Sequence, residues 1–261
     1  MEELSIDYSQ CGTLATTDFG NIPGDKVSSS FKAGPSSCAS IAGAPTRWKV
    51  RNEENVRFGT DTKNGSTQFC TLQFPIPNNI GPPVLFYYRL TNFYQNHRRY
   101  VKSLESDQLK GIAVPASTIA HGSCDPLRLD PSGKPYYPCG LIANSLFNDT
   151  FKPPLNIAVQ GGSAPNMTYP MTNKGIAWSS DKALYGPTKY ALSDIAVPLN
   201  WKDQWPNGYT ESHPPPNLEE DEEFQVWMRT AGLPAFSKLA LRNDNLTMPC
   251  SIYQVDIMLS R

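Results

Sequence analysis

Hydrophobic and polar positions alternate with a period of two in two stretches near opposite ends of the chain. Cys70, Leu72 and Phe74 fall on one face and Thr71 and Gln73 on the other, and Pro75 ends the pattern; this predicts a half-buried strand. Tyr253, Val255, Ile257 and Leu259 alternate with Gln254, Asp256 and Met258, which predicts a second. That pattern runs to Arg261 without a turn or partner, so a sheet continuing past the end of the sequence is expected. Between them, residues 84–90 (VLFYYRL) are apolar on both faces and rich in strand formers, as in a central strand. Trp48 and Val50 alternate with Lys49 and Arg51, a short strand inside residues 12–66, whose Gly, Ser, Thr and Asp otherwise predict a long irregular excursion. Residues 224–230 (FQVWMRT) fit both periods: Phe224, Val226 and Met228 alternate, while Phe224, Trp227, Met228 and Ala231 share a helical face. A strand is the preferred reading there.

Residues 92–103 (NFYQNHRRYVKS) fit neither period, although aromatics, amides and cations stand almost side by side. One reading is a recognition surface, with Phe93, Tyr94 and Tyr100 as anchors and Arg98 and Arg99 as planar hydrogen-bonding forks. The other is a buried polar cluster that pins a loop. Both stay open at this point.

Prolines 115, 126, 131, 135 and 138 make 111–138 a long loop for a compact domain. A Cys124–Cys139 bridge would explain it, removing about 3 kcal/mol of unfolded-state entropy. Residues 186–218, with Trp201, Trp205 and three successive prolines, form a second irregular region. With Pro at 24 and Gly at 18 of 261 positions, many short strands joined by turns are expected. The predicted fold is mainly β: one antiparallel, β-sandwich-like domain over residues 1–261, with long irregular disulfide-stapled loops and little helix.

Lys and Arg number 23 against 24 Asp and Glu, so the net charge of −1 provides no field for gathering nucleic acid or anionic lipid. The six cysteines (11, 38, 70, 124, 139 and 250) include no CxxC, which favours disulfides over zinc. Asn64, Asn148, Asn166 and Asn245 each begin an N-glycosylation triplet. Cysteines and triplets together place the chain in an oxidising lumen or outside the cell. Yet it opens MEELSIDYSQ without a leader pattern and has no apolar run long enough to span a bilayer, so an ectodomain cut from a membrane protein is expected.

Catalytic chemistry leaves little trace. His97, His121 and His213 lack metal-ligand spacing, and no G-x-S-x-G elbow or phosphate-binding glycine loop occurs. The acidic run 219–223 reads as a solvated stretch before a strand rather than as paired glycosidase carboxylates. Trp178, Trp201 and Trp205 are the visible candidates for an aromatic carbohydrate site, the runner-up being a free-standing carbohydrate- or ligand-binding β-sandwich.

Four segments together resemble one family: residues 92–103, PCGLIANSLFNDT at 138–150, NKGIAWSSDK at 173–182 and EEFQVWMRTAGLPAFSKL at 222–239. Their order and spacing are similar to those of the cell division control protein 50 family, accessory subunits of type IV P-type ATPases that flip phospholipids. NWKDQWPNGYT at 200–210 resembles the fungal branch. The resemblance implies a two-pass membrane protein of the Golgi, endosome, plasma membrane or endoplasmic reticulum, whose large lumenal or extracellular loop covers the extracytoplasmic loops of the ATPase. SIDYS would follow the first span, and the family's last strands and second span lie beyond VDIMLSR. It pairs Cys124 with Cys139 and Cys11 with Cys70; Cys38 and Cys250 lie outside the shared pattern and are joined by elimination. Asn148 matches a family glycosylation position, and Asn64 lies in a variable insertion. No catalytic residue, metal or cofactor is implied beyond N-linked glycans, since the ATPase supplies the chemistry. The role would be folding support, export from the endoplasmic reticulum and stabilisation of transport-cycle states. Phe93, Tyr94, Asn96, Arg98, Arg99 and Tyr100, with part of the 12–66 excursion, are the expected partner interface.

Overall fold

The computed structural model describes residues 2–32, 38, 41, 43–58, 61–62, 66–157 and 166–259. Its strands, in chain order, are β1 (Glu3–Ile6), β2 (Gly20–Asn21), β3 (Val27–Ser30), β4 (Arg47–Glu54), β5 (Arg57–Phe58), β6 (Asp61–Thr62), β7 (Ser66–Ile76), β8 (Val84–Leu90), β9 (Thr150–Phe151), β10 (Leu155–Asn156), β11 (Met167–Thr168), β12 (Phe236–Asn243) and β13 (Ser251–Leu259). The helices are short: α1 (Cys11–Leu14), α2 (Arg98–Lys102), α3 (Ser106–Leu109), α4 (Ala116–His121), α5 (Leu141–Asn144), α6 (Ser179–Lys182) and α7 (Glu222–Met228). The fold is therefore mainly β with little helix, and its strand pairings are antiparallel.

One sheet dominates, in the order β11-β10-β13-β7-β4-β2, with β9 also on β13. β7 and β13 form its centre, in register from Ser251 opposite Ile76 to Leu259 opposite Gln68. Tyr253, Val255 and Ile257 of β13 join Cys70, Leu72 and Phe74 of β7 and Trp48 of β4 in a dry core. β13 pairs with β7 on one side and β10 on the other.

β7 is longer than its alternation predicted and is buried on both faces. Its polar face is closed by a zipper across three strands. Arg51 of β4 donates to Thr71 (2.7 Å) and Asp256 (3.1 Å), and Thr71 donates to the same carboxylate at 2.8 Å. One row along, Arg47 donates to Gln73 and Gln73 to Gln254, both at 3.2 Å. Arg51 also lies 4.6 Å over the Phe69 ring. These bonds offset most of the cost of burying this face, although Arg47 Nε and Thr67 Oγ1 are buried without a hydrogen-bond partner among the described residues. The same pairing corrects the reading of 12–66: its segment 47–54 is a full strand of the main sheet.

Two further expectations are overturned. β8 pairs with β12 in a separate ribbon and alternates partly buried and exposed positions after Val84, so it is not a central strand. Residues 222–228 form helix α7, not a strand. Asp221 caps its first turn, accepting from the Phe224 N–H at 3.0 Å, and Glu222 and Glu223 place negative charge where the helix dipole favours it. Phe224, Trp227 and Met228 then share one buried face. At the other end, the Lys238 ammonium of β12 donates to the carbonyls of Val226, Trp227 and Arg229. Burial, and next the Arg229 charge, push its pKa down to about 8.

Around α7 lies a second core of different make-up: Tyr137, Ile142, Trp201, Tyr209, Leu218, Phe224 and Trp227, with α5 and the loops 186–218 packed on it. A small third cluster surrounds the Cys124–Cys139 disulfide with Val114, Ile119 and Tyr136. Cys11 is bonded to Cys70, and Cys38 to Cys250.

Candidate functional site

Residues 92–103 leave β8 through Asn92, whose φ of 58° is the left-handed conformation that Asn tolerates. The Phe93 ring turns inward, edge-on to Tyr100, Trp227 and Phe236 at centroid distances of 6.0, 5.6 and 6.3 Å. Gln95 is fully buried, and its Oε1 accepts from the Ala231 N–H at 2.9 Å. Asn96, at the surface, donates to the Gly232 carbonyl at 3.0 Å. His97 is the N-cap of α2. The Tyr100 hydroxyl lies 2.8 Å from Ser145 Oγ, and its pKa is raised because burial outweighs its bonds to Ser145, Gln95 and Trp227. Ser103 closes the segment, donating to the Asp125 carbonyl and accepting from the Leu141 N–H, each at 2.9 Å. This last contact requires a glycine: a Cβ on Gly140, whose φ is +100°, would lie 2.1 Å from the Ser103 carbonyl oxygen.

The outer face is different in kind. Tyr94 is 56% exposed, and Arg98, Arg99, Val101 and Lys102 are also exposed. Among the described residues, the Arg98, Arg99 and Lys102 side chains form no hydrogen bond or ion pair. The buried polar cluster thus describes the inner face, which takes in Phe93 and Tyr100, while Tyr94, Arg98 and Arg99 remain on the outer one.

The other three resembling segments assemble on the inner face. Trp227 Nε1 donates to the Ile142 carbonyl at 2.8 Å, joining 222–239 to 138–150. Residues 173–182 are strapped to the start of α7 by the acidic run. Glu222 accepts from Lys182 Nζ at 2.8 Å and the Ala177 N–H at 3.1 Å, Glu223 from Asn173 at 3.0 Å, and Lys174 donates to the Glu220 carbonyl at 2.7 Å. Burial raises the Glu222 pKa, but Lys182 and the Ala177 and Gly175 N–H groups prevail and hold it at about 2. The run therefore clamps through buried Glu222, while Glu219, Glu220 and Glu223 stay exposed. Asp-Glu-Glu ahead of an apolar i, i+3, i+4 face was the available signal, being a helix start. Arg229 completes the strap, 4.3 Å over the Trp178 ring and 3.1 Å from Asp181.

A profile of the LEM3 (ligand-effect modulator 3) family / CDC50 family matches residues 1–260. The chain belongs to the CDC50 family. A Chaetomium thermophilum protein named phospholipid-transporting ATPase accessory subunit CDC50 is 44% identical over 98% of the chain and 62% of its own length. The Saccharomyces cerevisiae phospholipid-transporting ATPase accessory subunit CRF1 is 42% identical over 100% of the chain and 60% of its own. Bovine cell cycle control protein 50A is 38% identical over 72% of the chain and 53% of its own. The chain thus spans about three fifths of the length of these fungal relatives.

The features behind the runner-up readings are dispersed in this CDC50-family chain. Trp201 is buried, its Nε1 donating to the Ala143 carbonyl at 2.9 Å; Trp205 stacks on it, and Trp178 lies apart under Arg229. Among the described residues, no group of His, Cys, Asp and Glu is arranged to hold a metal ion, and no helix is long and apolar enough to cross a membrane. Of the glycosylation triplets, Asn166 and Asn245 are exposed, Asn148 is half-buried, and Asn64 lies outside the described residues.

Proposed function

We propose that this chain is the extracytoplasmic part of a non-catalytic accessory subunit of a type IV P-type ATPase. It supports folding and endoplasmic reticulum export of the ATPase and stabilises states of its phospholipid transport cycle. The supporting observation is the family match over residues 1–260, with fungal relatives named as accessory subunits of phospholipid-transporting ATPases. A subunit that binds some pump conformations more tightly than others shifts the cycle by that difference in affinity.

The proposed partner contact is the outer face of residues 92–103. Tyr94, Arg98 and Arg99 engage the ATPase, while Phe93 and Tyr100 hold the segment from within and Asn96 ties it at the surface to the Gly232 carbonyl. Exposed Arg and Tyr side chains without intramolecular partners are what an interface of this kind draws on. Asn148, Asn166, Asn245 and Asn64 are proposed to carry N-linked glycans on the lumenal side, and the domain is a single unit whose membrane anchors lie in the remainder of the full-length protein.

The test is purification of the tagged full-length protein from fungal membranes in mild detergent. Stoichiometric recovery of a type IV P-type ATPase is expected; its reproducible absence from folded, glycosylated protein would overturn the proposal. Peptide-N-glycosidase mobility shifts on single Asn→Gln variants check the glycans and the topology together.

A further inference from the structure

The two sides of the main sheet are defended unequally. On one side it ends in β4 and the two residues of β2 paired to it, and β4 carries Arg47, Lys49, Arg51, Glu53 and Glu54. Charges along an edge discourage a second chain from adding to it. On the other side stand β10 and β11, and β11 pairs with no further strand among the described residues. There the sequence has no Asp, Glu, Lys or Arg from Pro153 to Asn173. Asn166, Met167 and Thr168 are all exposed, Met167 to 62%. An uncharged outer strand with a bare apolar side chain is a template for edge-to-edge pairing. The shortness of β11 limits that template but leaves Met167 uncovered.

What this edge does carry is the glycosylation triplet Asn166-Met167-Thr168, which takes in the whole of β11 and has Met167 at its middle position. A second triplet stands beside it. In the turn after β12, Asn243 Oδ1 accepts from the Asn245 and Leu246 N–H groups at 3.0 and 2.9 Å. The Tyr169 hydroxyl donates to the Leu246 carbonyl at 2.6 Å, and Asn243 Nδ2 donates to the Pro170 carbonyl, so this turn is tied to the chain leaving β11. Leu246, again the middle residue of its triplet, is 51% exposed. An N-linked glycan is bulky and solubilising, and it occupies the surface around its Asn.

We infer that the N-glycan on Asn166, flanked by the one on Asn245, guards the edge of the main sheet, doing at β11 what charge does at β4 and keeping two copies of the chain from joining there. The inference rests on the lumenal accessory-subunit reading and deepens it by giving one of the glycans a task. The test uses full-length protein purified from fungal membranes, glycopeptide mass spectrometry, and light scattering on a sizing column to count copies of the chain. Wild type should carry a glycan at Asn166 and hold a single copy, with or without the ATPase. Asn166→Gln and Thr168→Ala each remove the triplet and should at least about double the number of copies per particle at micromolar concentration, while Thr168→Ser, which keeps the triplet, should not. Adding Met167→Lys to Asn166→Gln should restore the single copy, because a lysine on an edge strand blocks pairing without a sugar. That rescue separates an edge guard from a glycan needed only for folding, which a charge on β11 does not replace. The guard is overturned if Asn166 is bare in wild type, if both triplet-free variants stay single, or if association persists with Met167→Lys. If the triplet-free variants are lost to aggregation before purification, the double variant decides: recovered as single copies it supports the guard, and lost as well it overturns it. The accessory-subunit reading is judged separately, by recovery of the ATPase with wild type. Absence of glycan from all four triplets would overturn the lumenal placement together with the guard, whereas absence from Asn166 alone overturns only the guard.

Discussion

The seven-stranded sheet meets its backbone hydrogen bonds in the ladder between strands, and its inner face is filled largely by apolar side chains such as Trp48, Leu72, Phe74, Val255 and Ile257. The core around α7 has no such ladder. Its loops present carbonyls to the interior, and side chains answer them: Trp227 for Ile142, Trp201 for Ala143, Tyr209 for Tyr137, Gln108 for Tyr136 and Gln225 for Leu218. Every buried carbonyl needs a donor, so a core made of irregular chain must be built from side chains that are apolar in body and polar at the tip. This accounts for the concentration of Trp, Tyr and Gln there, and it means that a substitution in that core acts twice, through volume and through an orphaned carbonyl.

Trp227→Ala sharpens this contrast most strongly. It should cost about 3–5 kcal/mol for the lost ring, with a further ~1–3 kcal/mol for the stranded Ile142 carbonyl. Ile257→Ala in the sheet should cost only the cavity, about 2–4 kcal/mol. Denaturant titration of the two full-length variants compares them, and equal losses would break the distinction. Glu222→Gln comes next, at roughly 2 kcal/mol after allowing for the half-exposed Lys182. Because the folded pKa of Glu222, about 2, lies below its ordinary 4.5, the clamp's contribution is complete above about pH 4.5 and disappears as pH falls toward 2. The variant should flatten the stability–pH curve in that window. Tyr209→Phe keeps the ring and removes only the donor to Tyr137, for about 1–2 kcal/mol; a neutral outcome in a melting experiment would mean that water replaces it. Smallest is the Arg98→Ala, Arg99→Ala pair, within about 0.5 kcal/mol of wild type in stability since neither side chain has a fold partner, while co-purification with the ATPase drops.

Legibility in the sequence follows the same division. β13 is evident from Tyr253, Val255 and Ile257 because a strand with one dry face leaves a period of two. β7 is only half evident: Thr71 and Gln73 look solvated, and nothing local reveals that Arg51 and Asp256 arrive to cover them. α7 resembles a strand in sequence because Phe224, Val226 and Met228 alternate. Its helical start lay in the acidic run, which a charge count treats as surface. In the candidate site, the mixture of aromatics and cations in 92–103 flagged an unusual segment, but not which side of it faces inward. That division depends on Trp227, Ser145 and Ala231, far away in the chain. Lys238 gave no warning, since a lysine in an alternating strand reads as solvent-facing until the end of α7 is placed above it.

The central pair of the main sheet has a consequence for the making of the protein. β7 cannot meet β13 until almost the whole intervening chain from Ile76 to Ser251 has emerged, which at ~5–20 residues per second takes on the order of ten seconds or more. During that interval a strand destined for burial on both faces stands exposed, with β4 as its one available neighbour. High contact order of this kind makes folding slow and the nascent chain prone to aggregate. The domain proposed to escort another protein's folding thus leaves the centre of its own main sheet open until its synthesis is nearly complete, and that synthesis sets the earliest moment at which a complex can assemble.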